Sequence, residues 1–150
     1  MVELVRYWVN QDWPLTQDKV SAAMAGIGWK RARDGDWQAS TDPLYRQLLF
    51  VGVSRNDEFG IDDLSWNLTD VVLEESLERE VFLNDAYVGF VKALAGVLGK
   101  PKRMRSKLAV TARWDVSNGC RVEVMNDGSS VTVYIESPSY TQVLRNSERR

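Results

Sequence analysis

Near the start of the chain, apolar residues follow the spacing of an amphipathic helix. After Thr16, a predicted N-cap, they recur at positions i, i+3, i+4 and i+7, and Gly28 ends the pattern. The apolar positions of this helix are Val20, Ala23, Met24 and Ile27. A shorter helix is predicted upstream, where residues 4–9 also fit one helical face.

A second strong helix is predicted from Asn84 or Asp85 to Gly99, which forms a stop signal together with Pro101. Its apolar stripe consists of Tyr87, Phe90, Val91, Leu94, Val97 and Leu98. Residues 71–83, just upstream, fit either extended chain or a short acidic helix, and the pattern does not choose between them.

Between the two helices the pattern changes to that of β-strands. Residues 33–36 (Arg-Asp-Gly-Asp) are a turn candidate, and the apolar run Leu48–Val53 is typical of a buried central strand. After a polar turn at residues 56–60, apolar and polar residues alternate over residues 64–69, as in a strand with one face in water.

Residues 107–136 are predicted to form a three-stranded antiparallel meander. Apolar residues alternate strictly in three consecutive segments, which is the pattern of strands with one buried face. A three-residue loop that ends in Gly119, in a left-handed conformation, would place Trp114 opposite Val122.

The second turn of this meander is predicted to have two residues, Asp127-Gly128. It would place Val124 opposite Val131, and Val122 opposite Val133. Both turns then put the apolar side chains on one face, whereas a slip of one residue would turn one set to water. The side chains expected next to one another on the buried face are Trp114, Val122 and Val133.

The order of elements predicts an α+β fold, with helices packed on one face of an antiparallel sheet. The order also allows two similar α-β-β-β halves, because two Ala/Gly-rich strings, residues 23–28 and 93–99, fall at corresponding helix ends. A chain of 150 residues has the length of one domain. We therefore expect one α+β domain over residues 1–150, in which residues 138–150 could form a flexible tail.

Composition indicates an ordinary globular protein, with 44% hydrophobic and 27% charged residues and a net charge of −2. No stretch approaches the roughly 18 uninterrupted apolar residues of a membrane span, and residues 1–13 lack the pattern of a signal peptide. We therefore expect a soluble cytoplasmic protein that does not bind membranes. The single cysteine, Cys120, excludes an internal disulfide and would be a free thiol.

The chain contains no histidine, which removes the commonest general base and most transition-metal sites. Cys120 therefore has no histidine to activate it, and its place in the alternation assigns it to the core. The sequence shows no phosphate-binding loop, dinucleotide fingerprint or nucleophile elbow. We therefore assign no catalytic, cofactor-binding or metal-binding residues and expect neither cofactor nor metal. A carboxylate-dependent enzyme of unknown reaction stays open as an alternative.

Charge is distributed unevenly along the chain. Residues 57–85 contain ten acids and one base, whereas residues 86–114 contain seven bases and no acid. The two runs could neutralise each other within the chain, or the acidic run could be a surface for a partner protein with basic side chains. The candidate partner-binding residues are Asp62, Asp63, Glu74, Glu75 and Glu78.

Nucleic-acid binding is not expected. The basic stretch at residues 100–107 has no aromatic side chain on which bases could stack, and a large negative segment precedes it. The oligomeric state cannot be read from the pattern.

Three features carry a resemblance to a known group of proteins. They are a tryptophan-rich entry to a helix that ends in Gly-Trp, a Gly-x-Pro helix stop, and the hairpin Arg-Trp-x-x-x-Asn-Gly at residues 113–119. With these the chain resembles an uncharacterised family of small actinobacterial proteins, a domain of unknown function. Such proteins are similar in size and build to bacterial immunity proteins and secretion chaperones. This likeness implies protein binding without naming a partner. The acidic run adds one specific possibility, an inhibitor of a basic toxin, because such an inhibitor would need an acidic surface.

Overall fold

The structure is a computed structural model that describes residues 1–31, 37–38, 48–53 and 57–150. In these ranges the helices are α1 (Val2–Val9), α2 (Gln17–Gly26), α3 (Leu77–Leu98) and α4 (Pro138–Glu148), with a short 3₁₀ turn at Asp57–Phe59. The strands are β1 (Lys30–Arg31), β2 (Trp37–Gln38), β3 (Leu48–Val53), β4 (Ile61–Asn67), β5 (Lys102–Arg105), β6 (Val110–Asp115), β7 (Arg121–Asn126) and β8 (Val131–Glu136). The predicted turn at residues 33–36 lies outside the described residues.

The eight strands form one sheet in the order β1-β2-β3-β4-β8-β7-β6-β5, and every neighbouring pair is antiparallel. The predicted α+β class and antiparallel sheet are confirmed. The strands β1 to β4 and β5 to β8 are two successive meanders, each preceded by helix, and they meet where β4 pairs with β8. Each half therefore has four strands, one more than the order of predicted elements suggests.

The C-terminal meander is confirmed, and its first hairpin has the predicted register, with Trp114 opposite Val122. The predicted register of the second hairpin is wrong by two residues. Val122 lies opposite Ile135, and Val124 opposite Val133. A shift of two residues preserves the face on which each side chain lies, so the predicted buried face is still correct.

The cause of this shift is the loop between β7 and β8, which has four residues instead of two. The last ladder pair is Asn126 with Val131. Within the loop, the Asp127 carboxylate accepts hydrogen bonds from the backbone N–H groups of Ser129 and Ser130, at 2.8 and 2.9 Å. This side-chain cap stabilises a wider turn than the two-residue type predicted for Asp-Gly.

The hydrophobic core lies on one face of the sheet, between the strands and the helices α1, α2 and α3. Their fully buried side chains include Trp8, Met24 and Leu94. On the same side, the Trp29 ring lies between Trp8 and Trp66, with ring centroids 5.8 and 6.2 Å away. Along most of their length, the strands β4, β6, β7 and β8 present only apolar side chains to this face.

The hydrophobic pattern does not predict helix α4, which lies within the residues considered as a flexible tail. Its N-cap is Ser137, whose hydroxyl accepts a hydrogen bond from the Tyr140 N–H, and Pro138 occupies the first turn. The charged residues Arg145 and Glu148 pair with side chains on the polar face of the sheet, opposite the core. Both faces of the sheet therefore meet helices.

Helix α3 begins seven residues earlier than Asn84, because Ser76 acts as an N-cap and accepts a hydrogen bond from the Arg79 N–H at 3.0 Å. The undecided residues 71–83 are thus non-helical up to Ser76 and helical from Leu77. Residues 102–105, within the basic stretch, form the edge strand β5.

Candidate protein-binding surface

Three glutamates of the predicted partner-binding set lie where the connector before α3 joins the first turn of the helix. Glu74, Glu75 and Glu78 are all exposed, and we call them the acidic patch. The Arg79 guanidinium holds the backbone of this connector by donating to the carbonyl groups of Val72 and Leu73, at 3.2 and 3.1 Å. The patch therefore sits on fixed backbone.

The acidic patch is not neutralised by the basic stretch that follows α3. Among the ion pairs of the described residues, only one includes the patch: Glu75 lies 3.9 Å from Arg79, four residues along the chain. Lys102, Arg103 and Arg105 are exposed and form none of the described ion pairs. The charge of the patch is therefore available to a partner.

The structure separates the predicted set into two groups. Asp62 and Asp63 lie near the start of β4, where Asp63 is opposite Glu136 of β8. The acidic patch follows the other end of the same strand, beyond Asn67. The five acids thus do not form one continuous surface, and Asp62 and Asp63 are half-buried.

Apolar side chains with an unusual degree of exposure lie next to the acidic patch along the chain. The exposed fractions of Leu73 and Leu77 are 79% and 72%. Farther along α3, Val81, Phe82 and Val88 are also about half exposed or more. An exposed apolar cluster of this kind, with charged residues at its edge, is typical of a protein-interaction site.

Helix α3 is, among the described helices, the one whose length and apolar composition would allow it to cross a membrane. Of its most apolar 18-residue window, 22% is buried. That buried part is a regular stripe, Leu83, Tyr87, Val91 and Leu94, which packs on β7 and β8. A core helix explains the stripe, but it does not explain the exposed apolar side chains of Val81, Phe82 and Val88.

A second cluster of charged groups lies on the polar face of the sheet. The Arg121 side chain is 2% exposed, and its Nε atom donates to Asp115 at 3.0 Å. The same atom lies 3.8 Å from Oε2 of Glu136, and this oxygen accepts no hydrogen bond. Burial, with a further contribution from the charge of Glu123, raises the pKa of Glu136 to about 7.

Helix α4 covers part of this cluster. Oε1 of Glu148 accepts hydrogen bonds from Arg113 at 2.7 Å and from Arg121 at 3.3 Å. On the sheet, Arg113 also pairs with Glu123. The pKa of Glu148 lies below its usual range, chiefly because of its hydrogen bond with Arg113.

The apolar pattern of the meander gives no indication of these residues, because they lie on its other face. A signal was present: Arg113, Arg121, Glu123 and Glu136 occupy the alternate positions of the same strands. Charges at adjacent positions on neighbouring strands predict cross-strand ion pairs once the register is known.

Three clefts formed by described residues bear on the enzyme alternative. The first, of about 340 Å³, lies between the first turns of α3 and the loop from β5 to β6. Glu80 is the one carboxylate among the described lining residues of the three clefts, and Glu136 lines none of them. None of these three clefts brings two carboxylates together among its described lining residues.

Cys120 is completely buried, as expected for a core residue. Burial raises the pKa of its thiol to about 12, which keeps it protonated and unreactive at neutral pH. Among the described residues there is also no group of three Cys, Asp or Glu side chains placed to hold a metal ion.

Residues 1–137 match a family that is described only as a family of unknown function, DUF6301. The matched region ends before α4. Comparison with curated proteins and with solved structures finds no match.

Proposed function

The chain belongs to this family of unknown function, and we propose that it is a non-enzymatic domain that binds another protein. The binding surface consists of the acidic patch and the exposed apolar side chains beside it. The partner carries basic side chains around an apolar contact. The observation that carries this proposal is the exposure of Glu74, Glu75 and Glu78 together with Leu73 and Leu77 on one connector and helix start.

The two kinds of side chain would make different contributions. Burying exposed leucines against a partner contributes affinity, at roughly 25 cal/mol per Å² of apolar area. The three carboxylates would mainly accelerate association with a basic partner and exclude acidic ones. A more specific version of the proposal is an immunity protein that inhibits a basic toxin in the bacterial cytoplasm, since the site of such a toxin would attract carboxylates.

The experiment is affinity capture from cells that produce the protein, followed by purification of the captured partner and measurement of its association kinetics. The variant replaces the acidic patch: Glu74→Lys, Glu75→Lys and Glu78→Lys. A matched control makes the same change in charge on the N-terminal part of the chain: Glu3→Lys, Asp12→Lys and Asp18→Lys. All six positions are exposed, so both variants should remain folded.

We expect a stoichiometric partner that the control variant retains and the patch variant loses. Its association rate should fall by roughly tenfold or more as the ionic strength rises from about 0.05 to 0.5 M. Undiminished capture by the patch variant would show that the acidic patch is not the contact. Equal loss in both variants would also contradict the proposal, because it would assign binding to net charge alone.

A further inference from the structure

The side of α3 that faces away from the sheet forms a regular surface. Counted at 100° per residue, seven positions fall within about 100° of the helix circumference, opposite the buried stripe. We call them the outer face of α3: Glu78, Val81, Asp85, Val88, Gly89, Lys92 and Gly96. All seven are exposed.

Two residues of the outer face are glycines in the interior of a helix. Each glycine there destabilises the helix relative to alanine. A Cβ atom added at Gly89 or at Gly96 would meet nothing within 4 Å, so packing within the described chain does not require either glycine. A close approach by a backbone from outside the chain would require both.

The charges of the outer face are also unpaired. Asp85 and Lys92 take part in none of the ion pairs of the described residues. They lie seven residues apart, which places them on the same side of the helix about 10 Å apart along its axis. At that distance they cannot pair with each other, but each can pair with a residue on a second helix.

We propose that the outer face of α3 binds the outer face of α3 in a second copy of this chain, with the two helices antiparallel. This inference goes beyond the proposed function, because the outer face shares only Glu78 with the acidic patch. The twofold axis then passes between Val88 and Gly89. Two residues from different copies lie at the same height along the helix pair when their numbers add up to 177.

The face is complementary to itself in this arrangement. Asp85 lies opposite Lys92 of the second copy, and Val81 lies opposite Gly96. Each of these pairs occurs twice because of the twofold symmetry. Val88 meets Val88 of the second copy on one side of the contact, and Gly89 meets Gly89 on the other side. Acids thus meet bases, and the glycines let the two backbones approach closely. Glu78 lies opposite Gly99, next to Lys100, which adds another acid–base contact at each end.

Other occupants fit the face less well. Two parallel α3 helices would bring Asp85 opposite Asp85 and Lys92 opposite Lys92, so like charges would meet. A lipid bilayer would have to accommodate the charged groups of Asp85 and Lys92 in the middle of the contact face, which is unfavourable in hydrocarbon. A pair of helices about 33 Å long is a small interface, so we expect a dissociation constant in the micromolar range.

The test uses charge exchange across the interface. Asp85→Lys places lysines opposite Lys92, and Lys92→Asp places aspartates opposite Asp85. Sedimentation velocity of the wild-type chain, from about 5 to 200 μM, should show a monomer–dimer equilibrium. Each single variant should weaken dimerisation by roughly tenfold or more.

An equimolar mixture of the two single variants should associate again, because every charge then meets its opposite. The double variant, which exchanges both residues, should dimerise within about threefold of the wild type. A third variant, Gly89→Leu with Gly96→Leu, should be monomeric and no less helical by circular dichroism, since leucine favours helix more than glycine does.

A wild-type chain that stays monomeric at 200 μM would overturn the inference, as would a mixture of single variants that does not associate. Either result would leave the proposed function intact, because capture of a different protein by the acidic patch is measured separately. Conversely, dimerisation that survives Glu74→Lys and Glu75→Lys, with no other partner captured, would support the inference and contradict the wider proposal.

Discussion

Glu136 lies in an environment that disfavours the charged form of its carboxyl group. It is 8% exposed, one of its oxygens accepts no hydrogen bond, and Glu123 lies nearby. Its pKa in the folded state, about 7, is above the value of 4.5 expected in the unfolded chain. The folded protein therefore keeps a proton on Glu136 at pH values where the unfolded chain releases it.

This shift predicts how stability depends on pH. Since the folded state binds the proton more tightly, Glu136 stabilises the fold fully below pH 4.5, and this contribution is lost as the pH rises through about 7. Glu136→Gln should remove the dependence and raise the free energy of unfolding at pH 8 by roughly 1–3 kcal/mol. Urea denaturation of both proteins at pH 5 and pH 8 measures this.

The matched control for this prediction is Glu3→Gln, which changes an exposed glutamate of α1. It should keep the pH dependence of the wild type. A Glu136→Gln variant that is less stable than the wild type at pH 8 would show that the Arg121 ion pair outweighs the cost of burying the charge.

At the scale of single elements, α4 differs from the other helices in what holds it to the sheet. Thr141 is the buried residue of α4. The charged side chains of the helix form ion pairs with Arg113, Arg121 and Asp115 of the sheet. Ion pairs that are partly exposed contribute at most about 1 kcal/mol each. We therefore expect α4 to detach locally before the rest of the domain unfolds.

Glu148→Gln should weaken this attachment. We expect amide hydrogen exchange in residues 138–148 to become roughly two- to tenfold faster, with exchange in β7 and β8 unchanged. The wild type should show the same loosening in acid. Because the pKa of Glu148 is lowered in the folded state, its contribution is present above the unfolded pKa and is lost as the pH falls through the folded pKa.

Arg149→Gln is a suitable control, since it removes a charge at the end of α4 that belongs to none of the described ion pairs. Its exchange rates should equal those of the wild type. Faster exchange throughout β7 and β8 in Glu148→Gln would contradict the prediction, because it would mean that α4 and the sheet unfold together.

The elements differed in how far sequence could predict them. The strands of the meander were predictable because each buries one face. The alternation of apolar and polar residues therefore shows which side chains point to the core. Helix α4 and strand β5 were not, because charges hold the first to the sheet and the second is an exposed edge. The start of α3 was hidden for a related reason: Val81 and Phe82 are apolar but exposed, which blurs the helical pattern.

The candidate site was predictable only in part. An excess of acids at residues 57–85 pointed to Glu74, Glu75 and Glu78, which are exposed and not paired with the basic stretch. Spacing along the chain could not show that Asp62 and Asp63 lie at the other end of β4. The Arg121 and Glu136 cluster depends on register, which the loop at Asp127 shifts by two residues.

At the scale of the whole molecule, the central position of β7 predicts a large effect of charge in the core. Val122 is completely buried between Trp114 and Ile135. Val122→Asp would bury a carboxylate without a partner, which costs several kcal/mol of a total stability of roughly 5–15 kcal/mol. We expect this variant to be largely unfolded by circular dichroism and by its tryptophan fluorescence.

Val143→Asp is the matched control, because the same substitution is made at a side chain of α4 that is 62% exposed. This variant should fold as the wild type does. A folded Val122→Asp variant with native fluorescence would contradict the placement of Val122 in the core.

The meeting of the two meanders at β4 and β8 has a consequence for the order of folding. Within each half, strands that follow one another in sequence pair with each other, so those hairpins require less loop-closure entropy. The β4–β8 pairing joins Asn67 to Thr132, residues that are far apart in sequence. Folding of this domain should therefore be limited by the docking of two preformed halves, and substitutions at the β4–β8 seam should slow folding more than substitutions in the outer hairpins.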